Sequence, residues 1–353
     1  WVDLKPPVRF GGGRDWGTAA IDVERAMIYL YSGGHCVYSG ADVLHYHLAS
    51  NRWDQPVETE FPPGYTGAGE SVPGQTFNRR AWITGHTWNG YDYHPGIKRL
   101  IVNGRQGLLN QHVDPHTYAY DPDLGDWERR GKTTKAFDIY GTQVRHVPGL
   151  GMITWYGGEV WKLDERTLDW QKLPAKGKLP GSRVDFCGLA HDPRRKRMLF
   201  FSGGSYSGKP YSGEVFALAI PSLQVSSFKP EGSKHIKATY AGKENTLGTW
   251  ILREVIYHPG ADLFVFSSKL PGGWTAALDP AKNRWVGVKL PGPWPTGLSS
   301  GLLYDAKRDL IYAVNHHARV SALRLDPKTL VVKPLAEVAL KAGRTASTRE
   351  EKH

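Results

Sequence analysis

Cysteine is scarce in this chain, which contains only Cys36 and Cys187 among its 353 residues. Two cysteines exclude a disulfide-rich scaffold. We expect two buried thiols in preference to one bridge, because unpaired cysteine is commonly buried. Long apolar stretches are missing too, since none approaches the roughly 18 residues that a membrane-spanning helix needs. The sequence therefore predicts a soluble chain without a membrane partner.

Acidic residues are in deficit, because 45 lysines and arginines against 34 aspartates and glutamates give a net charge of +11. A basic chain favours anionic partners, although a solvated basic surface without a partner explains the charge equally well. The one dense basic run, Arg194–Arg197, is too short to predict a nucleic-acid footprint. A Gly-x-x-x-x-Gly-Lys-Ser/Thr phosphate loop is absent. We therefore expect an anionic carbohydrate as partner, and not a nucleic acid or a nucleotide.

Glycine and proline are plentiful, with 41 and 24 copies, as in folds that join many short strands by tight turns. The segment Ala26–Trp53 has an apolar run, Gly33-Gly34, a second apolar run and a closing tryptophan. Six copies of this unit predict an all-β fold built as a radial array of small sheets. The hydrophobic strand of the unit recurs at Met27–Tyr31, Arg99–Val102, Met152–Tyr156, Met198–Phe201, Leu263–Phe266 and Leu310–Val314.

The two ends of each unit are also regular. Each unit opens with a strand that runs into an acidic or His-Pro turn, and four units close on a tryptophan. We expect the glycine pairs to adopt positive φ and the closing tryptophans to pack between sheets. The closing tryptophans are Trp53, Trp127, Trp170 and Trp285, whereas the fourth and sixth units close on residues 223–225 and 330–332.

A hydrophobic strand, a glycine pair and a tryptophan after the next strand resemble the kelch repeat, and the resemblance covers about Gly17 to Leu335. It implies a kelch-like β-propeller of the galactose-oxidase-like superfamily, with four-stranded blades. Six blades are favoured over seven. The second, fifth and sixth units depart from the pattern because their hydrophobic strand does not end in a glycine pair, and the fourth and sixth lack the tryptophan.

The repeat predicts one propeller domain over residues 1–340, followed by a polar tail at 341–353. Residues 1–10 resemble an outer strand that could close the ring. Loop insertions interrupt the rhythm at 56–87 and 221–250, and long loops of this kind often carry function. Because the chain starts with Trp1 and not methionine, we expect a processed protein. We also expect it to be secreted or periplasmic, and to be a monomer.

In a propeller, the loops that enter the first strands and those between the second and third strands share one face. This face is rich in His, Tyr and Arg, which suit proton abstraction beside a uronate carboxylate, because that reaction needs a base and a cation. The favoured hypothesis is a polysaccharide lyase that requires no cofactor. Its predicted catalytic residues are His86, His35, Tyr140 and Arg183, and its predicted substrate-binding residues are Arg14, Arg253, Trp82, Trp88, Tyr206, Trp274 and His316.

Two alternatives stay open. The first is a non-catalytic kelch-type module that binds a glycan or a protein through the same face. The second, a lesser alternative implied by the resemblance, is a copper-dependent oxidase related to galactose oxidase, and a bound metal is therefore left open. His45 and His47 have a spacing compatible with a metal pair, but we favour a solvated strand face for them. Further possible ligands are Cys36, Tyr38, His112, His116, His316 and His317.

Overall fold

The computed structural model describes residues 1–7, 18–31, 41–56, 89–106, 113–131, 137, 142–180, 187–201, 213–236, 254–268, 270, 272–292, 301–315 and 317–338. Within these ranges the chain forms six antiparallel sheets, and each sheet is one blade of a ring. The prediction of an all-β propeller with six four-stranded blades is confirmed.

The first three blades follow one another along the chain, and each is ordered from the innermost strand to the outermost. Blade I contains β2 (Thr18–Asp22), β3 (Met27–Tyr31), β4 (Val43–His47) and β5 (Arg52–Asp54). Blade II contains β6 (Tyr91–His94), β7 (Arg99–Gln106), β8 (Val113–Asp121) and β9 (Asp126–Arg130). Blade III contains β10 (Gln143–Val147), β11 (Gly151–Tyr156), β12 (Glu159–Leu163) and β13 (Trp170–Lys172).

The last three blades include the strands that close the ring. Blade IV contains β14 (Gly188–Asp192), β15 (Arg197–Phe201), β16 (Val215–Ala219) and β17 (Val225–Phe228), followed by a 3-10 turn at Ser233–His235. Blade V contains β18 (Val255–His258), β19 (Leu263–Phe266), β20 (Trp274–Asp279), β21 (Arg284–Lys289) and β25 (Val331–Pro334). Blade VI contains β22 (Gly301–Asp305), β23 (Leu310–Val314), β24 (Val320–Leu323) and β1 (Val2–Asp3). A short helical turn follows β25 at 335–338.

Ring closure differs from the sequence expectation in one strand. β1 pairs with β24 in the register Val2↔Ala322 and supplies the fourth strand of blade VI. The expectation that residues 330–332 complete the sixth unit is therefore wrong. Because β1 already covers the edge of β24, β25 pairs instead with β21 of the neighbouring blade, in the register Lys289↔Val331, as a fifth strand.

The buried hydrophobic residues that the structure describes form six clusters, one between each pair of neighbouring blades. The closing tryptophans fill these interfaces, as predicted, and two of them form a hydrogen bond across the interface. The Trp53 indole donates to the Ala318 carbonyl of blade VI at 2.7 Å, and Trp127 donates to the Ala41 carbonyl of blade I at 2.6 Å. These two thus combine a large buried surface with a satisfied polar group, whereas the buried indole nitrogens of the other two have no hydrogen-bond partner among the described residues.

Charged side chains link the blades at the turns between first and second strands, an end of the ring that we call the hairpin face. A carboxylate or imidazole at the end of the innermost strand accepts hydrogen bonds from its own turn, as Asp305 does from Lys307. A cation of the turn then reaches a carboxylate of the next blade. The basic run is part of this system, since Arg195 contacts Asp262 at 2.7 Å. Other cation–carboxylate contacts are Arg25–Asp123 and Lys307–Glu24, at 2.6 and 2.8 Å. Between two further pairs of blades an imidazole contacts the carboxylate, in His94–Glu165 and His258–Asp309, at 3.2 and 3.3 Å.

The glycine pair of the third unit forms a two-residue hairpin turn between β11 and β12. Gly157 and Gly158 have φ values of 60° and 83°, and a turn that needs positive φ at both central positions favours glycine. The expected positive φ is therefore confirmed for this pair. The pairs at 33–34 and 203–204 lie outside the described residues.

Candidate functional site

The innermost strands of neighbouring blades begin at the same end of the ring. The Val144 amide at the start of β10 donates to the Asn89 carbonyl just before β6, at 2.8 Å. A Cβ atom on Gly301, at the start of β22, would lie 3.1 Å from Ala19 of β2. We call this end, marked by these four residues, the strand-start face. It lies opposite the hairpin face, because each innermost strand runs from one face to the other.

The sequence-predicted site belongs to segments that adjoin this face along the chain. Only Trp274 of its eleven residues lies within the described ranges. The four predicted catalytic residues and the other six predicted substrate-binding residues lie outside the described residues, namely His86, His35, Tyr140, Arg183, Arg14, Arg253, Trp82, Trp88, Tyr206 and His316.

Trp274 begins β20, the third strand of blade V, and pairs with Lys289 of β21. Its side chain is partly exposed and packs against the core between blades IV and V. The ring covers Gly287, where an added Cβ would lie 3.3 Å from the Trp274 Cε3 atom. Trp274 is therefore at the outer half of the blade, beside the fourth and fifth strands, and not at the channel.

Two lysine side chains contact the Trp274 ring. The Lys289 ammonium is 5.9 Å from the ring centroid, and the Lys333 ammonium of β25 is 6.0 Å from it. At these distances an ammonium is attracted by the aromatic quadrupole. Lys289 also donates to the Gly272 carbonyl. We call Trp274, Lys289 and Lys333 the rim cluster, and within the described part of the chain no carboxylate forms an ion pair with either lysine.

A cavity of about 460 Å³ adjoins the rim cluster between blades V and VI. Its wall includes Lys289, Arg324 and Asp326 together with the apolar residues Leu290, Leu325 and Leu330. The cavity therefore runs from the end of β21 toward the segment that joins β24 to β25, with two cations and one carboxylate in its wall.

Three histidines gather at the hairpin face, on the innermost strands of blades II, III and IV. The rings of His94 and His146 are 4.8 Å apart, and the His146 amide donates to Asp92 at 2.9 Å. Burial is the largest cause that lowers the pKa of His94, His146 and His191, because desolvation disfavours the imidazolium form. Asp92 and Glu165 oppose this effect at His94 and His146. These imidazoles can accept protons as the pH falls.

His146 and His191 are not among the candidate residues predicted from the sequence, and their proximity was not foreseen. The available signal was positional, because both residues occupy the next-to-last place of an innermost strand. That place faces a neighbouring blade close to the ring axis.

The histidines of β4 have different surroundings from those expected. His45 is only 4% exposed, and its Nε2 is hydrogen-bonded to the Tyr120 hydroxyl at 2.9 Å. A solvated face is therefore wrong for His45. Its Nδ1 lies 3.9 Å from Asp54, a carboxylate that His47 contacts at 2.8 Å. Burial lowers the pKa of His45 to about 4.

The described residues include no group of three His, Cys, Asp or Glu side chains arranged to hold a metal ion. Of the other possible ligands, His116 is bonded to Arg129 through its Nδ1 atom at 2.8 Å. Cys36, Tyr38 and His112 lie outside the described ranges, whereas Cys187 is described and fully buried.

Across the described ranges, no helix has the length and apolar character needed to cross a lipid bilayer. Comparison of the sequence with known protein families and with curated proteins finds no match.

Proposed function

We propose that this protein is an extracytoplasmic, kelch-type propeller that acts on an anionic polysaccharide at the strand-start face, as a lyase. The observation that supports the proposal is the convergence of the innermost-strand starts, because the candidates His86, Tyr140 and Arg183 lie shortly before three of them in sequence. Arg253 directly precedes Glu254, whose carboxylate accepts the Leu302 amide of the next blade at 3.3 Å. The net charge of +11 supports an anionic substrate.

The proposed reaction is β-elimination at a uronate unit. His86 or His35 removes the proton from the carbon beside the carboxylate, and the electron pair forms a carbon–carbon double bond as the glycosidic C–O bond breaks. Tyr140 donates a proton to the departing sugar oxygen. Arg183 binds the carboxylate and offsets the charge that develops on it during proton removal.

The test is a panel of uronate polysaccharides followed by the ultraviolet absorbance of newly formed unsaturated ends. We expect His86→Ala, His35→Ala, Tyr140→Phe and Arg183→Ala to lower the rate by about a hundredfold or more wherever the residue takes part in proton transfer or charge neutralisation. Wild-type protein that forms no unsaturated product from any polymer in the panel would refute the lyase proposal.

A second candidate, a non-catalytic glycan-binding propeller, is favoured by the rim cluster. Trp274 offers an aromatic surface beside two lysines, which suits binding and supplies no base. Retained binding of an anionic polymer without any product would support this candidate over the lyase.

A further inference from the structure

We propose that the rim cluster is an outer subsite that binds a negatively charged sugar unit of a long polymer, away from the channel. The inference rests on the proposed function for the identity of the polymer. Beyond that function, it assigns the location of the subsite, the side chains that recognise the sugar, and a dependence of the affinity on polymer length.

Trp274 presents a partly exposed aromatic surface. Gly287 has no side chain, and an added Cβ there would lie 3.3 Å from the ring and 2.6 Å from the Val338 Cγ2 atom. A glycine inside a strand often marks such a close approach. Gly273, at a φ of +74°, forms part of the turn before Trp274, and an added Cβ there would lie 3.4 Å from the Lys289 ammonium. The ring is thus held against the sheet by small neighbours and remains partly exposed for stacking.

The two lysines of the rim cluster differ from most other described cations in their partners. Most cations of the hairpin face that the structure describes are paired with carboxylates, as Arg195 is with Asp192 and Asp262. The two ammonium groups of the rim cluster instead flank an aromatic ring, without a carboxylate partner among the described residues. An acidic sugar supplies what the cluster lacks, since its carboxylate or sulfate can pair with the ammoniums while its ring stacks on the indole.

Trp274 lies away from the channel. It belongs to the third strand of its blade, so it is two interstrand spacings, about 10 Å, outward from the innermost strand. A short oligosaccharide, here a disaccharide, bound at the channel would not reach it, whereas a longer chain that leaves the channel along blade V would. The subsite should therefore strengthen the binding of polymers and leave short oligomers unaffected.

The experiment compares three variants with wild type, using polygalacturonate, alginate, chondroitin sulfate, short oligomers of each, and neutral dextran as probes. Trp274→Ala removes the stacking surface, and the double variant Lys289→Gln/Lys333→Gln removes the charges with little risk to folding. Lys282→Gln/Lys328→Gln is the matched control, because it changes the net charge equally at exposed lysines outside the cluster. Affinities are measured by calorimetry at low and moderate salt.

We expect Trp274→Ala to weaken the binding of a preferred polymer by about tenfold. The rim double variant should weaken it by roughly threefold to tenfold and reduce its salt dependence. The control should bind as wild type does, and affinities for short oligomers should not change. Polymer binding by both rim variants at wild-type strength would overturn the subsite and leave the proposed function intact. Binding of no anionic polymer by wild type would overturn both, whereas rim-dependent binding without product would refute only the lyase.

Discussion

Acidification should weaken the interface between blades I and II through one buried imidazole, that of His45. Burial is the largest cause that lowers its pKa, from 6.5 to about 4. Because the folded-state pKa lies below the unfolded value, folding favours the neutral form. The contribution of His45 to stability is therefore complete above about pH 6.5 and is lost as the pH falls toward 4.

The size of this effect follows from the interval between the two pKa values. An imidazole with a pKa of about 4 in the folded state and 6.5 in the unfolded state lowers the free energy of unfolding by about 3 kcal/mol once it is protonated in both states. Lowering the pH from about 7.5 to about 5 removes about 2 kcal/mol of this free energy.

The assay is urea unfolding of wild type and His45→Gln at these two pH values, followed by tryptophan fluorescence. We expect the variant to lose about 2 kcal/mol less than wild type on acidification, because it has no imidazole to protonate. Tyr120→Phe is the matched control: it removes the hydroxyl bonded to His45 and keeps the buried imidazole. It should lower stability at both pH values and retain the pH dependence of wild type. An equal loss in wild type and His45→Gln would refute the reasoning.

Three further predictions concern the links between blades, with urea midpoints as the measurement. Trp285→Ala removes a side chain that is 1% exposed and should cost about 3–5 kcal/mol; a loss below about 1 kcal/mol would contradict its role as a wedge. Gly131→Ala should destabilise by several kcal/mol, because its Cβ would lie 2.1 Å from a carbonyl oxygen. Gly149→Ala, also at positive φ but in open space, should cost only about 1–2 kcal/mol, and equal losses would refute the steric argument. Arg195→Gln should cost about 2–3 kcal/mol because it removes the cation that Asp192 and Asp262 share, and Asp192 is fully buried. Lys172→Gln, at an exposed pair, should cost below about 1 kcal/mol, and a similar loss in both variants would contradict the bridging role.

The propeller could be predicted because its signals are local. A hydrophobic strand, a turn and a closing tryptophan recur within each unit, and each is favoured by contacts inside one sheet or with the adjacent one. Trp127 illustrates this, since its ring fills the interface to blade I, and its indole finds a carbonyl there. Six such interfaces arise from six repeats, so the blade number follows from counting units.

The environment of a polar side chain could not be predicted in the same way. His45 and His47 alternate along one strand and share one face, yet the first is buried against Tyr120 and the second is partly exposed. The difference depends on how deeply the neighbouring blade overlaps each position, which the repeat does not encode. The same limit applies to His146 and His191, whose proximity arises from two different blades.

The rim cluster shows how a single strand assignment can hide a site. The sequence pattern assigns residues 330–332 to the sixth unit, which would place Lys333 one blade away from Trp274. In the structure β1 occupies that position, so β25 pairs with β21, and the register Gly287↔Lys333 brings the lysine beside the indole. The strand that closes the ring therefore decides the composition of the cluster, because any pairing of β25 with blade VI would remove one of its two cations. A binding surface in a repeat protein can thus depend on the one connection that breaks the repeat.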